Sequence, residues 1–463
     1  PTGELHLGSA MTALANAAIA RHGGVLVLRI DDTDRERSTP ESVDRLLDML
    51  GWLGVTYDEG PHFQATRDDA HQQLLDWLIV HGNAYPCFCT PERLEEVRQA
   101  QISAGKPARY DNHCRHMEDG EVTSRLNRNE RPAYRLRVPA ERDYNVVDLV
   151  HGDVAGPAGS FGDFVLQRAN GGFTYLFASV CDDIAFAISH VVRGEDHLPN
   201  TPRQLAIFDA LDVAPPRFAH LPLLRSDSGR KLSKRDPLGT LDELRNRGVL
   251  PSTVRRYLAE LLGQGSVDLL IDDVRFDIGK VPRSAPHVDE TRIASVGRED
   301  IASLPEPTLV TLVAARGVQI NVRERSLLIA LADGAATVDD IVDGLRHVRA
   351  VPPPEVSVAR DEREAAIVRY SAGLAREYSG EDRANLETVS GSTVYVTELR
   401  LLASSLTLEK PGVGRVLKAV RRALTGVGHG PPLPAVVEAL GTTTVIERLT
   451  AATPVPQSGR PPA

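Results

Sequence analysis

The chain opens Pro1-Thr2-Gly3-Glu4-Leu5-His6-Leu7-Gly8, and far downstream it reads Arg230-Lys231-Leu232-Ser233-Lys234-Arg235. The first stretch sets a glycine-flanked histidine where a strand is expected to turn into a helix. Such a histidine can approach a phosphate closely, because a helix N-terminus offers unpaired N–H groups and a partial positive charge. The second stretch sets two lysines on a loop. The chain has only six lysines, Lys106, Lys231, Lys234, Lys280, Lys410 and Lys418. Arginine does nearly all the other basic work, so paired lysines imply a specific demand. Mobile point charges suit the charge that develops on a leaving pyrophosphate. Together the two stretches read as a device that grips ATP while a carboxylate attacks its α-phosphate. Alone, His-Leu-Gly also reads as a plain turn, and Lys-Leu-Ser-Lys as a solvated surface cluster. The residues flanking each favour the binding reading.

Outward from the head, Thr12 to Ala20 is a strong helix former and Val25 to Ile30 an apolar, β-branched strand. That strand ends in Asp31-Asp32-Thr33-Asp34, at the edge where open α/β sheets bind ligands. These aspartates read either as a solvated turn or cap, or as acceptors for a substrate ammonium. Val43, Leu46, Leu47, Leu50 and Leu53 give Glu41 to Leu53 a helical period. From Tyr85 to about Gly171 clustered Gly, Pro and Asn break the pattern, which reads as an insertion. The α/β pattern returns over Phe173 to Ala187 and the strand-like Ile188 to Val192, and closes with the lysine loop. Helical patterns dominate from Asp236. Val351-Pro352-Pro353-Pro354 is a candidate joint and Pro454 to Ala463 a candidate tail.

A length of 463 residues is too great for one core and implies three or four domains. Hydrophobic content of 42% and charged content of 25% are those of a soluble globular enzyme. No apolar run reaches the ~18 residues of a membrane span, and no secretory leader is visible, so a cytoplasmic location is expected. The chain starts at Pro1, inside a motif, so further N-terminal residues are expected to precede it. A net charge of −10 argues mildly against nucleic acid as a partner, although a local arginine face can offset it. Four cysteines do not make a disulfide framework in a chain of this length.

Three of those cysteines form a pattern: Cys87-Phe88-Cys89, then Cys114-Arg115-His116. Cys87, Cys89, Cys114 and His116 would make a tetrahedral set for one structural zinc ion. The bland alternative is three unrelated thiols with an incidental histidine. Cys181 lies outside the pattern and reads as core. A further cluster joins Tyr175 and Asp182-Asp183 to Val191-Val192-Arg193-Gly194-Glu195-Asp196-His197. An arginine ending an apolar strand can bind a carboxylate bidentately, or sit in an ordinary salt bridge.

With these pieces in place, the chain resembles a bacterial glutamyl-tRNA synthetase, a class I aminoacyl-tRNA synthetase. The likeness runs through Pro1 to Leu14, Leu28 to Ser38 (LRIDDTDRERS), Cys87 to Arg98 (CFCTPERLEEVR) and Tyr110 to Arg115. It continues through Val191 to Gln204 (VVRGEDHLPNTPRQ), Phe218 to Asp236 (FAHLPLLRSDSGRKLSKRD) and Arg421 to Leu449. The last stretch is similar to an anticodon-binding region that the short tRNA-modifying relatives lack. The resemblance implies an α/β Rossmann-like class I synthetase catalytic domain with an inserted acceptor-binding subdomain, followed by mostly α-helical stem-contact and anticodon-binding domains. The implied divisions are 1–84 and 171–236 for the catalytic halves and 85–170 for the insertion with its zinc knuckle. The stem-contact domain would take 237–310 and the anticodon-binding domain 311–463.

The resemblance also implies roles. Glutamate, ATP with Mg2+, and tRNA(Glu) are the implied substrates and partners, with one structural Zn2+, no membrane and a monomeric chain. His6, Lys234 and Lys231 would stabilise pyrophosphate departure, with Gly3, His6, Gly8 and Lys234 around ATP. Tyr175 and Arg193 would meet the carboxylates of glutamate. Asp31 stands where the family usually has a glutamate that receives the substrate ammonium. Met11 replaces a common arginine. Leu262-Gly263-Gln264 replaces Leu-Gly-Trp, and Asp289, Arg292, Ile293, Ser295 and Gly297 replace a second family pattern. The catalytic elements are kept better than the tRNA-docking ones. A specialised paralog with altered tRNA preference, a catalytically silent tRNA-binding relative and a small-molecule nucleotidyltransferase are the alternatives.

Overall fold

A computed structural model describes residues 5–32, 39–226, 229–230, 232, 239–352, 362–378, 386, 388–406 and 411–453. The chain divides into two compact units, Pro1–Leu244 with Val254–Glu290, and Arg245–Thr253 with Thr291–Ala463.

The first unit opens on α1 (Leu7–Ala20), which begins ahead of the expected Thr12 because His6 caps it. His6 is extended, and its Nδ1 accepts the backbone N–H of Ser9 at 3.0 Å. Leu7, Ala10, Met11 and Leu14 are buried, so Met11 is a core residue. β1 (Val27–Ile30) and β2 (Glu59–Phe63) pair in parallel. Between them lies α2 (Pro40–Leu53), with Thr39 as its cap, proline in its first turn and a left-handed Gly54 at its end.

α3 (Asp68–Val80) leads to β3 (Ala84–Cys87), followed by α4 (Pro91–Ser103) and α5 (Asp119–Asn127). Next come β4 (Ala133–Leu136), β5 (Val146–Asp148), β6 (Gly152–Val154) and β7 (Val165–Gln167). α6 (Tyr175–Ala185), β8 (His190–Gly194), α7 (Thr201–Ala210) and β9 (Arg217–Leu221) complete this part. β3, β4 and β7 form an antiparallel sheet. The other sheet runs β6-β5-β9-β8, with β5, β9 and β8 parallel and β6 antiparallel to β5. The segment read as an insertion, 85–170, is therefore stitched to the later strands, because β5 bonds to β9. β8 starts two positions past the expected Ile188, because the chain leaves α6 through a left-handed Ala187 (φ 52°). The core under α6 and α7 joins Phe177, Val180, Ile207, Phe208 and Phe218.

The second unit is helical over its described residues. Helices Arg325–Ala332 and Val338–Arg349 bury Leu327, Leu328, Ile341, Val342 and Leu345 together with Val436. A second core joins Tyr395, Val420, Val437 and Leu449. Leu433–Ala451 kinks at Gly441, whose φ of 72° suits glycine far better than a residue with a Cβ. Among the described residues, no helix is long and apolar enough to cross a membrane.

Candidate active site

His6 stands at the N-terminus of α1. Because its Nδ1 accepts from Ser9, a neutral His6 carries its proton on Nε2, where it can donate to a phosphate oxygen. A Cβ on Gly8 would lie 3.1 Å from that Nδ1, so glycine leaves room around the ring. Thr240 bridges His6, and the Leu241 N–H donates to the Leu5 carbonyl at 2.9 Å. The chain thus returns beside the histidine just after the lysine loop. Gly3, Asp34, Lys231 and Lys234 lie outside the described residues. On the other side, the Asn16 amide donates to the Val192 carbonyl at 2.9 Å, which ties α1 to the strand carrying Arg193.

The residues expected at the amino acid do come together. The Arg193 Nη1 lies 3.4 Å from the Tyr175 hydroxyl, itself 3.4 Å from His197 Nδ1. Burial raises the Tyr175 pKa, and the charges of Arg193, Asp31 and Arg29 all reach its hydroxyl. Asp31 is not an unpaired carboxylate: Arg29 donates to it at 2.7 Å and to Asp183 at 2.9 Å. Burial works against the Arg29 charge, but Asp31 and Asp183 outweigh it and raise its pKa. Burial raises the Asp183 pKa despite Arg29. Asp32 is taken up locally, accepting the Ala65 N–H at 2.8 Å.

Behind this floor, Asp182 is fully buried and accepts from Arg67 at 2.7 Å, His71 at 2.9 Å and Gln64 at 2.9 Å. Burial would raise its pKa, but these bonds prevail and lower it.

Arg193 does not present the bidentate fork expected of it. Its Nε donates to His220 Nε2 at 3.1 Å, and its Nη2 to Thr201 at 2.9 Å and Gln204 at 2.7 Å. The Nη1 edge remains, paired with the Tyr175 hydroxyl. The sequence did not single out Arg29, Asp148 or His220, which the structure places against Asp31 and behind Arg193. Two clues were available: an arginine just ahead of the strand-end aspartates, and a histidine inside the apolar Phe218 to Leu221.

Of the four residues expected at the metal, the structure brings the three cysteines together. The sulfurs of Cys87, Cys89 and Cys114 lie within 4.8 Å of one another. His116 is exposed and outside that group. Residues 113–116 form a turn in which Arg115 points inward, donating to Val138 at 3.2 Å and pairing with Asp163 at 2.5 Å. The Tyr110 hydroxyl instead sits 3.4 Å from the Cys87 sulfur and 3.6 Å from that of Cys89. It also accepts the Cys114 N–H at 2.8 Å, and the Arg135 guanidinium covers its ring at 3.8 Å. The Cys114 bond draws the Cys87 thiol pKa down, against burial and with help from Tyr110 and Arg135; Cys114 is pushed up in return. Three soft sulfurs converging in one half-buried pocket fit a zinc ion.

Residues 1–267 match the family model described as tRNA synthetases class I (E and Q), catalytic domain. Glutamate–tRNA ligase 1 of Acidiphilium cryptum is 35% identical over 464 residues, covering 97% of each chain. Glutamate–tRNA ligase 1 of Granulibacter bethesdensis is 37% identical over 465 residues, covering 97% of this chain and 95% of its own. The crystal structure of a glutamate tRNA ligase from Elizabethkingia meningosepticum, in complex with its amino acid, superposes with a TM-score of 0.83 at 24% identity. It covers 98% of this chain and 97% of that one, and it speaks to the fold.

Proposed function

We infer the function from one premise: this chain belongs to the class I tRNA synthetases of the E and Q group. It is a glutamate–tRNA ligase. The observation that carries this is the extent of the likeness. The relatives align over 97% of this chain, so the match takes in the helical C-terminal half as well as the catalytic region.

The reaction has two steps. An α-carboxylate oxygen of glutamate attacks the α-phosphorus of ATP, which arrives with magnesium. The bond from that phosphorus to its bridging oxygen breaks, and pyrophosphate leaves with the electron pair. A hydroxyl of the 3′-terminal ribose of tRNA(Glu) then attacks the acyl carbon, and AMP departs.

His6 Nε2, Lys231 and Lys234 are assigned to the charge growing on pyrophosphate, where aligned donors act most strongly in the transition state. Gly3 and Gly8 allow close approach of the triphosphate. Arg193 Nη1 and the Tyr175 hydroxyl receive a carboxylate of glutamate. Asp31 receives its ammonium, exchanging part of its bond to Arg29 for the ligand. Cys87, Cys89 and Cys114, with Tyr110 beside them, would hold one zinc ion that supplies a structural tie between the end of β3 and the turn at Cys114. The enzyme is assigned to the cytoplasm and works as a monomer. Charging of purified tRNA(Glu) with glutamate tests this reading.

A further inference from the structure

Arg193 is held from behind by a chain of buried groups on three neighbouring strands. Its register partner on β9 is His220, and next to β9 lies β5, which ends in Asp148. The His220 and Asp148 side chains are both fully buried. His220 Nδ1 and Asp148 Oδ2 are 2.6 Å apart. Asp148 Oδ1 accepts the N–H groups of Val150 and His151, each at 2.9 Å.

The donors around His220 decide its tautomer. Arg193 Nε lies 3.1 Å from His220 Nε2, and the Thr201 hydroxyl lies 3.2 Å from the same nitrogen. A guanidinium has no acceptor to offer, so Nε2 must carry the lone pair and Nδ1 the proton, directed at Asp148. Burial lowers the His220 pKa against the pull of Asp148, in keeping with a neutral ring. With Nε held by His220, and Nη2 held by Thr201 and by Gln204, the guanidinium can rotate little. Gln204 is itself fixed to Ser179 at 2.8 Å.

We propose that Asp148 and His220 are positioning residues for amino-acid recognition: Asp148 sets the His220 tautomer, and His220 holds Arg193 so that only Nη1, beside the Tyr175 hydroxyl, meets the glutamate carboxylate. This rests on the reading that Arg193 contacts glutamate. An arginine pinned in this way needs no reordering when the ligand arrives.

The test is a double-mutant cycle on the full chain, reading KM for glutamate and for ATP by pyrophosphate exchange with tRNA(Glu) present. Asp148→Asn keeps an oxygen for the backbone amides but turns an NH2 toward Nδ1. That drives the histidine proton to Nε2, against the Arg193 N–H. Asp148→Asn should raise the glutamate KM about tenfold or more while the ATP KM stays within about twofold. In an Arg193→Ala background the same change should move the glutamate KM less than about twofold. An equal effect in both backgrounds, or none in the parent, overturns the proposal. An unchanged glutamate KM in Arg193→Ala alone overturns the underlying reading instead. Should Asp148→Asn not fold, His220 carries the test. His220→Gln keeps an acceptor for Arg193 and should hold the KM within about threefold, whereas His220→Leu should raise it about tenfold; equal values in the two variants overturn the proposal.

Discussion

Arg29 Nε bonds to Asp31 Oδ1 at 2.7 Å, so the carboxylate assigned to the substrate ammonium is already paired with a cation two residues away. The other end of the same guanidinium is on Asp183 at 2.9 Å. On the proposed reading, glutamate binding exchanges one partner of Asp31 for another. Asp31→Asn should raise the glutamate KM about tenfold, since a charge-assisted bond to the ligand becomes a neutral one. The fold should hold, because the Asp31 side chain is 38% exposed and exposed pairs contribute about 1 kcal/mol or less. Exchange kinetics beside a urea melt check both parts. An unchanged KM would remove Asp31 from the site.

Asp182 is the buried counterpart, and its removal should act on stability first. Asp182→Ala leaves Arg67 and His71 without the carboxylate they share, an arrangement that typically costs about 3–5 kcal/mol. Trp52 and Trp77 are the only tryptophans and both lie in the first unit, so urea unfolding followed by their fluorescence reports that unit. A loss below about 1 kcal/mol would mean that the network does not hold the floor beneath Arg29.

How much of this was legible beforehand depends on distance along the chain. The α/β character of the first part and the helical character of the last, His6 as the residue that starts α1, and the shared neighbourhood of Tyr175 and Arg193 were legible from patterns and motifs along the chain. Two things were not. His116 was expected among the metal ligands because Cys-x-His looks like a knuckle. Periodicity cannot show that Arg115 is drawn inward to Asp163, a residue on a distant loop. The partners of Arg193 and Arg29 were hidden for the same reason. Asp148, His220 and Asp183 reach them only through strand order and helix packing, which no window of sequence contains.

The metal pocket gives a contrast between two neighbouring side chains. The full chain should carry about one zinc per molecule when freshly purified. Tyr110→Phe should lower zinc retention under a chelator challenge, because it removes the phenol beside the sulfurs of Cys87 and Cys89. His116→Ala should leave retention unchanged. Elemental analysis decides, and loss of zinc from the His116 variant alone would assign the histidine, not the phenol, as ligand.

Stability should fall on the acid side of neutrality. Burial holds the folded-state pKa values of His220 and His197 below the ordinary imidazole value. As pH drops through about 6.5 the unfolded chain takes up protons that the folded chain refuses, and folding loses ground. Asp148 has a lowered pKa and contributes in a lower window, losing its stabilisation only as pH falls below about 4. Tryptophan-monitored urea melts at pH 7.5 and 5.5 should show the less stable protein at 5.5, and His220→Gln should narrow the difference. An unchanged difference in that variant would mean that His220 is not buried neutral.

The central claim is that this chain joins glutamate to tRNA(Glu), and acylation measures it most directly. Purified tRNA(Glu), ATP, magnesium and labelled glutamate should yield label that precipitates with the tRNA and is released by mild base. Omission of ATP should abolish it. No labelled tRNA(Glu), from a protein that melts cooperatively and retains its zinc, would contradict the assignment.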